Sequence, residues 1–168
     1  MHTQHFTFAS KKKGEWISAL ICIPQEGEPV GLVQLCHGMS EHKERYLPFA
    51  RFLCDHGFVV GIHDHLGHGQ TAKNPQFLGY FGAKGPEYLR DDLHTMTVEM
   101  KKRYPHLPLF LLGHSMGSFI TRYYLASYGR ELQGAVIMGT AGKNPACDAG
   151  IRMARLVAKM KSPYHRSM

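Results

Sequence analysis

The stretch Leu109–Ser118, LFLLGHSMGS, puts a serine where it can attack a carbonyl. Four apolar residues, Leu109 to Leu112, read as a strand buried on both faces. Gly113 ends the run, and a helix-period pattern begins just past Gly117. Ser115 therefore sits on a sharp strand-to-helix turn with glycine at minus two and plus two, positions that leave no room for a side chain. Such a turn lifts a hydroxyl clear of the sheet and sets helix N-terminal amides beside it to receive a developing negative charge. With 18 glycines in 168 residues, Gly-x-Ser-x-Gly arises by chance roughly 0.1 times. The alternative is an ordinary serine in a glycine-rich turn, and the rest of the chain decides between them.

The elements that must hold this turn follow in order. His5–Ala9 alternates polar and apolar residues as a half-buried strand does, and Trp16–Ile23 is a second strand close enough to form an antiparallel hairpin with it. Val30–Cys36 is a third, more continuously apolar strand that runs into His37-Gly38-Met39-Ser40-Glu41-His42. Residues 44–56 read as a helix with an apolar stripe of Tyr46, Leu47, Ala50, Phe52, Leu53 and Cys54, stopped by Gly57. Phe58–Ile62 is a fourth strand, leading into His63-Asp64-His65-Leu66-Gly67-His68-Gly69-Gln70-Thr71. A glycine-rich loop extends to about Gly85, and Pro86–Arg103 is a long helix with Leu89, Leu93, Met96 and Met100 on one side. After the elbow, Met116–Tyr128 is a helix with Phe119, Ile120, Tyr123 and Tyr124 at core spacing, and Gln133–Gly139 is a further buried strand. From the third strand onward strands alternate with helices, which predicts an α/β fold: an open, mostly parallel sheet with helices on both faces. In such sheets ligands bind outside the carboxyl ends of the strands. The loops at His37–His42, His63–Thr71, Ser115 and Thr140–Asn144 all lie there, and that convergence makes the elbow credible.

Three motifs, each following a strand, carry a resemblance: HGMSEH with Arg45-Tyr46, then HDHLGHGQ at 63–70, then LLGHSMG at 111–117. Together they resemble the monoacylglycerol lipase and lysophospholipase-like branch of the α/β-hydrolases, of the serine aminopeptidase S33 type, over roughly residues 15–145. The resemblance implies an α/β-hydrolase fold and a serine ester hydrolase working through an acyl-enzyme. Ser115 would be the nucleophile. The backbone N–H groups of Met39 and Met116, held by separate loops, would form the oxyanion hole. Asp64 and the Gly67-His68-Gly69 turn would be structural, His37 and His42 would fix their loop, and His114 would point away from the serine.

A serine hydroxyl needs a base, and the base needs an orienting acid; in this fold both follow the nucleophile in the chain, after later strands. After Ser115 the acids are Glu131 and Asp148 and the only histidine is His165. Glu131 lies in the turn before the next strand, while Asp148 and His165 flank a predicted helix at 148–161 and follow no further strand. The expectation is that the catalytic acid and histidine are not in this chain, which is C-terminally truncated and lacks the last strands of the sheet. Residues 1–145 would be the N-terminal part of the core and 146–168 the start of a cap or lid. In the cap helix Ile151, Ala154, Val157 and Ala158 recur at helical spacing, with Arg152, Arg155 and Lys159 on another side. Such a helix suits peripheral contact with a lipid surface or packing over the sheet.

Two other function classes are weighed. A non-catalytic module would keep the fold for binding alone. A zinc-dependent hydrolase would use His63-x-His65-x-x-His68, but the spacing departs from the known pattern, with Gly67 where an Asp belongs, and no downstream ligand loop appears. Neither the residues nor the resemblance calls for a cofactor or metal. The net charge of +7 is concentrated at 143–168, which hold six Lys/Arg against Asp148 alone. With no basic face interleaved with aromatics, nucleic acid is excluded as a partner. Cys22, Cys36, Cys54 and Cys147 show no Cys-x-x-Cys spacing, and no signal-length apolar segment opens the chain, so a soluble cytoplasmic protein is expected.

Overall fold

A computed structural model describes residues 1–142 and 144–161, and His165 lies outside them. Six strands form one sheet: β1 (His2–Ala9), β2 (Trp16–Ile23), β3 (Gly31–Cys36), β4 (Phe58–His63), β5 (Leu109–His114) and β6 (Gly134–Met138). They lie in the order β1-β2-β4-β3-β5-β6. The expected hairpin is present, with β1 and β2 paired antiparallel from His2↔Ile23 to Ala9↔Trp16. Beyond the antiparallel β2–β4 pair, β4, β3, β5 and β6 run parallel, as the alternation with helices requires.

The helices are α1 (Leu47–Asp55), α2 (Gly85–Arg103), α3 (Met116–Tyr128) and α4 (Cys147–Met160), and a 3-10 turn over Lys43–Tyr46 leads into α1. Pro48 opens α1 and Pro86 opens α2, positions at which a missing backbone N–H costs nothing. On one face of the sheet Leu89, Leu93, Met96 and Met100 of α2 and Ile120 and Tyr124 of α3 pack over Ile17, Ile21, Leu32, Val59 and Leu111. On the other face Ala50 and Cys54 of α1 cover Leu20, Leu35, Val60 and Ile62. Alternate residues of one strand enter opposite clusters, as the strand period of two dictates.

Four expectations of burial are corrected. β6 is an exposed edge strand, with Val136 52% and Met138 49% exposed, because no described element packs beyond it. For the same reason β5 is buried only at alternate residues, and Val33, Phe49, Leu53, Phe110, Leu112 and Val136 line an open apolar hollow on the α1 side. Of the stripe assigned to α3, Ile120 and Tyr124 are buried while Phe119 and Tyr123 are exposed, Tyr123 lying under the Arg90 guanidinium at 4.6 Å. Of the α1 stripe only Ala50 and Cys54 are buried, and Phe52 is exposed. Helical periodicity identifies a face that wants cover, and it does not say whether a neighbour supplies it.

One buried polar link ties sheet to helices. Gln34 in the centre of β3 donates from Nε2 to the Leu93 carbonyl at 2.8 Å, and Thr97 Oγ1 donates to Gln34 Oε1 at 2.6 Å. The Tyr124 hydroxyl lies 3.0 Å from the same Oγ1, so β3, α2 and α3 meet at one threonine. Thr97→Val leaves Gln34 Oε1 buried without its donor, and the expected cost is about 1–3 kcal/mol in urea denaturation, with Thr97→Ser restoring most of it.

Candidate active site

The nucleophile candidate is held against its own preference. Ser115 has φ 52° and ψ −119°, and with Ser40 at φ 57° it is one of two described non-glycine residues with positive φ. Such backbone costs about 1–3 kcal/mol and persists only where its surroundings over-determine it. Here they do. Ser115 N–H donates to the Met138 carbonyl of β6 at 3.0 Å. The Ser115 carbonyl accepts from Ser118 N–H at 2.9 Å and from Ser118 Oγ at 2.6 Å. Ser115 Oγ makes no hydrogen bond among the described residues.

The glycine two residues on makes the approach possible. A Cβ on Gly117 would overlap the Cys36 carbonyl and lie 2.7 Å from that of His37, so the N-terminus of α3 presses directly on the chain leaving β3. At Gly38 a Cβ would stand 3.1 Å from Ser115 Cβ. The two loops expected to form an oxyanion hole are thus in contact beside the serine. Met116 N–H, at the first position of α3, has no intrahelical acceptor.

Within the other loop, the donors on either side of Met39 are taken. Gly38 N–H donates to Glu41 Oε2 at 2.7 Å, and Ser40 N–H donates to His68 Nε2 at 3.2 Å. Met39 N–H, between them, has no acceptor among the described residues. Glu41 Oε2 also accepts from the Tyr46 hydroxyl at 2.8 Å, and His114 Nδ1 lies 3.3 Å from it and 3.1 Å from that hydroxyl. His114 is therefore committed to Glu41 and Tyr46. Burial pushes the Glu41 carboxyl up, but the bonds from Gly38, Tyr46 and His114 outweigh it and hold the group below its ordinary range.

Asp64 is the anchor of the adjacent loop, the structural role the resemblance implied for it. Its buried carboxylate accepts from Lys43 N–H at 2.7 Å, Gln70 N–H at 2.8 Å and Lys43 Nζ at 2.7 Å. A Cβ on Gly69, at φ 46°, would overlap that carboxylate. Lys43 was not anticipated: it is fully buried, between Asp64 and Glu44 Oε1 at 2.8 Å. Nothing in its type or spacing marked a buried ion pair. The partners of Glu41, Ser40 and Tyr46 are equally unmarked in the sequence, since each depends on contacts across the fold, although all three stand in the motifs that carry the resemblance; for His68 the resemblance implies a structural turn but not its bond to Ser40.

His37, His63, His65 and His68 form a buried group. His37 Nδ1 lies 2.8 Å from the Gly38 carbonyl, and its Nε2 accepts from His65 N–H at 3.1 Å. His65 Nε2 lies 3.1 Å from the His37 carbonyl. These bonds fix the loop, as expected of His37, whereas the His42 ring is exposed and, among the described residues, bonds to Glu44 alone, at 3.0 Å. His63, His65 and His68 do not converge: no group of three His, Cys, Asp or Glu among the described residues is placed to hold a metal ion. Of the acids after Ser115, Glu131 pairs with His94 at 3.0 Å, on α2, and Asp148 lies in the first turn of α4.

Comparison with known proteins gives this geometry a family. The model of the family described as serine aminopeptidase S33 matches residues 27–168. The chain belongs to that hydrolase family. It is 38% identical to human monoglyceride lipase over 112 residues, 67% of this chain and 35% of the relative. It is 40% identical to a monoglyceride lipase homolog of monkeypox virus over 94 residues, 55% of this chain and 32% of the relative. Among solved structures, a thermostable carboxyl esterase from Bacillus coagulans superposes with a TM-score of 0.86 at 36% identity, over 95% of this chain and 51% of that one. The fold is that of the α/β-hydrolases. The chain spans about a third of the length of the curated relatives it matches and about half of the esterase.

Burial holds the S33 chain's site histidines neutral, lowering His37 to about 4, His63 to about 3 and His65 well below the ordinary imidazole value. Unfolded, each titrates near 6.5, so between about pH 6.5 and 4 the unfolded chain binds more protons and stability falls as pH falls. Burial raises Asp92 to about 6, which opposes the trend by one proton in the same window. Unfolding near pH 5 should therefore take up about two protons, a slope of about 3 kcal/mol per pH unit. Both ring nitrogens of His63 are buried without a partner among the described residues, and its ring packs edge-on to Phe8 at 5.8 Å. His63→Phe should remove one proton from the slope in denaturation series run between pH 7 and 5; an unchanged slope would refute this assignment.

Proposed function

We propose that this chain carries the nucleophile and oxyanion hole of a carboxylic ester hydrolase acting on monoacylglycerol, a lysophospholipid or a similar lipid ester. Ser115 Oγ attacks the ester carbonyl, whose π electrons pass to its oxygen, and the N–H groups of Met39 and Met116 bind that oxyanion. Collapse expels the alcohol and leaves an acyl-serine, which water hydrolyses. One observation carries the reading. Of three successive amides in the loop against Ser115 Cβ, the outer two are occupied and only that of Met39 is free. The relatives named monoglyceride lipase and carboxyl esterase support it.

Ser115 Oγ still needs a base. No described imidazole is bonded to it, and we place the base and its orienting acid outside this chain. Without them the oxyanion hole retains part of the catalysis, since sites stripped of triad members keep a residual rate of about 10³–10⁴ over water. The 168-residue chain should show little or no ester turnover and only slow uptake of a fluorophosphonate, all of it at Ser115 and none in Ser115→Ala. Equal, negligible labelling of both proteins would favour the non-catalytic module. A chromogenic-ester burst abolished by Ser115→Ala would show that a base is present after all.

Residues 1–145 serve in this reading as the N-terminal part of the core and 146–168 as the start of the cap. No helix among the described residues is long and apolar enough to cross a membrane. Contact with lipid is peripheral, by a protein located in the cytoplasm. Met153, Leu156 and Met160 are exposed along one side of α4, with Arg152, Arg155 and Lys159 on the adjacent side, as 100° per residue dictates. Replacing those three apolar residues by serine should abolish co-sedimentation with vesicles of anionic lipid, and unaltered binding would rule out the contact through α4.

A further inference from the structure

The free Met39 amide is flanked by two bonds of different kinds. The first, from Gly38 to Glu41, closes within a four-residue turn. The second, from Ser40 N–H to His68 Nε2, reaches 28 residues along the chain and depends on where one ring keeps its proton. His68 is buried, 4% exposed, and stacks on Phe81 with ring centres 5.6 Å apart and planes 8° from parallel. Its Nδ1 lies 3.1 Å from the Leu66 carbonyl. A carbonyl only accepts, so Nδ1 carries the proton, and the neutral ring presents a bare lone pair at Nε2. Ser40 N–H is aimed at that lone pair. Ser40 is itself exposed and sits at φ 57°, in the left-handed region that a serine adopts only when something holds it there. Its side chain makes no hydrogen bond among the described residues.

We propose that His68, as the Nδ1–H tautomer, is a positioning residue for the oxyanion hole. It holds Ser40 in the left-handed conformation and so keeps the Met39 N–H turned toward the oxygen of an ester attacked by Ser115. The inference rests on the hydrolase reading above. His68 touches none of the reacting atoms and acts through Ser40 alone. His37 supports the same loop in the same protonation pattern, with Nδ1 on the Gly38 carbonyl at 2.8 Å and Nε2 accepting His65 N–H at 3.1 Å. The other tautomer at either position loses both of its bonds, because a donor would then face an N–H and a bare nitrogen would face a carbonyl. A ring that merely filled space between Phe81 and His37 would be replaceable by phenylalanine, which can make neither the Nδ1 nor the Nε2 bond.

The test uses the whole chain at pH 7 with two variants, His68→Phe, which keeps a ring, and His68→Gln, which restores an acceptor near the place of Nε2. Nitrogen-15 spectra of the imidazoles should show His68 protonated at Nδ1 and bare at Nε2. Amide exchange at Ser40 should quicken about tenfold in His68→Phe and stay near wild type in His68→Gln. The slow phosphonylation of Ser115 should fall about tenfold or more in the first variant and recover in the second. An Nε2–H tautomer, or Ser40 exchange unchanged by His68→Phe, overturns the proposal, as does phosphonylation that ignores the loss of the Ser40 bond. A wild-type chain that takes up no phosphonate at all refutes the hydrolase reading instead. The imidazole and amide spectra, which need no chemistry at Ser115, then decide whether His68 holds the loop.

Discussion

The Cys36 and His37 carbonyls lie where a side chain at Gly117 would have to be, and that single approach sets how the site is assembled. It brings the start of α3 onto the end of β3, so two loops 78 residues apart in sequence, at Met39 and Gly117, share one edge of the sheet. Everything nearby adjusts to it. The turn that permits it forces Ser115 to φ 52°, a strain of about 1–3 kcal/mol. Three hydrogen bonds on the Ser115 backbone, from Ser118 twice and to Met138 once, answer that strain at a net of about 1 kcal/mol each. One of those three goes to β6. The exposed edge strand thus helps to hold the serine in place.

The parts of this arrangement that the sequence discloses are those that a backbone requirement imposes on residue type. Glycine at 113 and 117 around Ser115 is such a case, because no other residue fits so close a crossing. The alternation of apolar runs with helix-period segments is another, and it yields the element order and the parallel sheet. Burial was less legible. Leu109–Leu112 and Gly134–Met138 have the composition of strands covered on both faces, yet Val136 and Met138 are about half exposed. Composition records what a strand needs, and cover depends on elements elsewhere. Least legible were the partners made by folding. A lysine is the residue least expected in a core, and Lys43 is fully buried only because β4 delivers Asp64 to it.

That ion pair and the histidine group divide the labour of rigidity differently. Lys43 and Asp64 are charges removed from water, and such a pair stabilises little while the loss of either member leaves an uncompensated charge, at a cost of about 3–5 kcal/mol. The geometry makes sense of the expense. The Asp64 carboxylate accepts two backbone N–H groups besides the ammonium, so it fixes the path of residues 64–70 in a way an apolar side chain cannot.

The histidines achieve a comparable order without charge. A neutral imidazole carries one donor and one acceptor on opposite edges of a rigid ring, so it can join an N–H of one segment to a C=O of another at fixed distance. His37 and His68 each do this, and between them they engage the backbone at residues 38, 40, 65 and 66. An amide side chain offers the same pair of groups on a flexible stem, and a hydroxyl offers them at a single atom. The cost is that the device works in one protonation state only. Burial supplies that state by keeping His37 neutral down to about pH 4. The low dielectric that makes His37 and His65 unwilling to ionise also strengthens their hydrogen bonds, so burial both sets the protonation of this loop and stiffens it. An arrangement that fastens the amides on either side of Met39 N–H is well served by groups that donate and accept in one fixed plane.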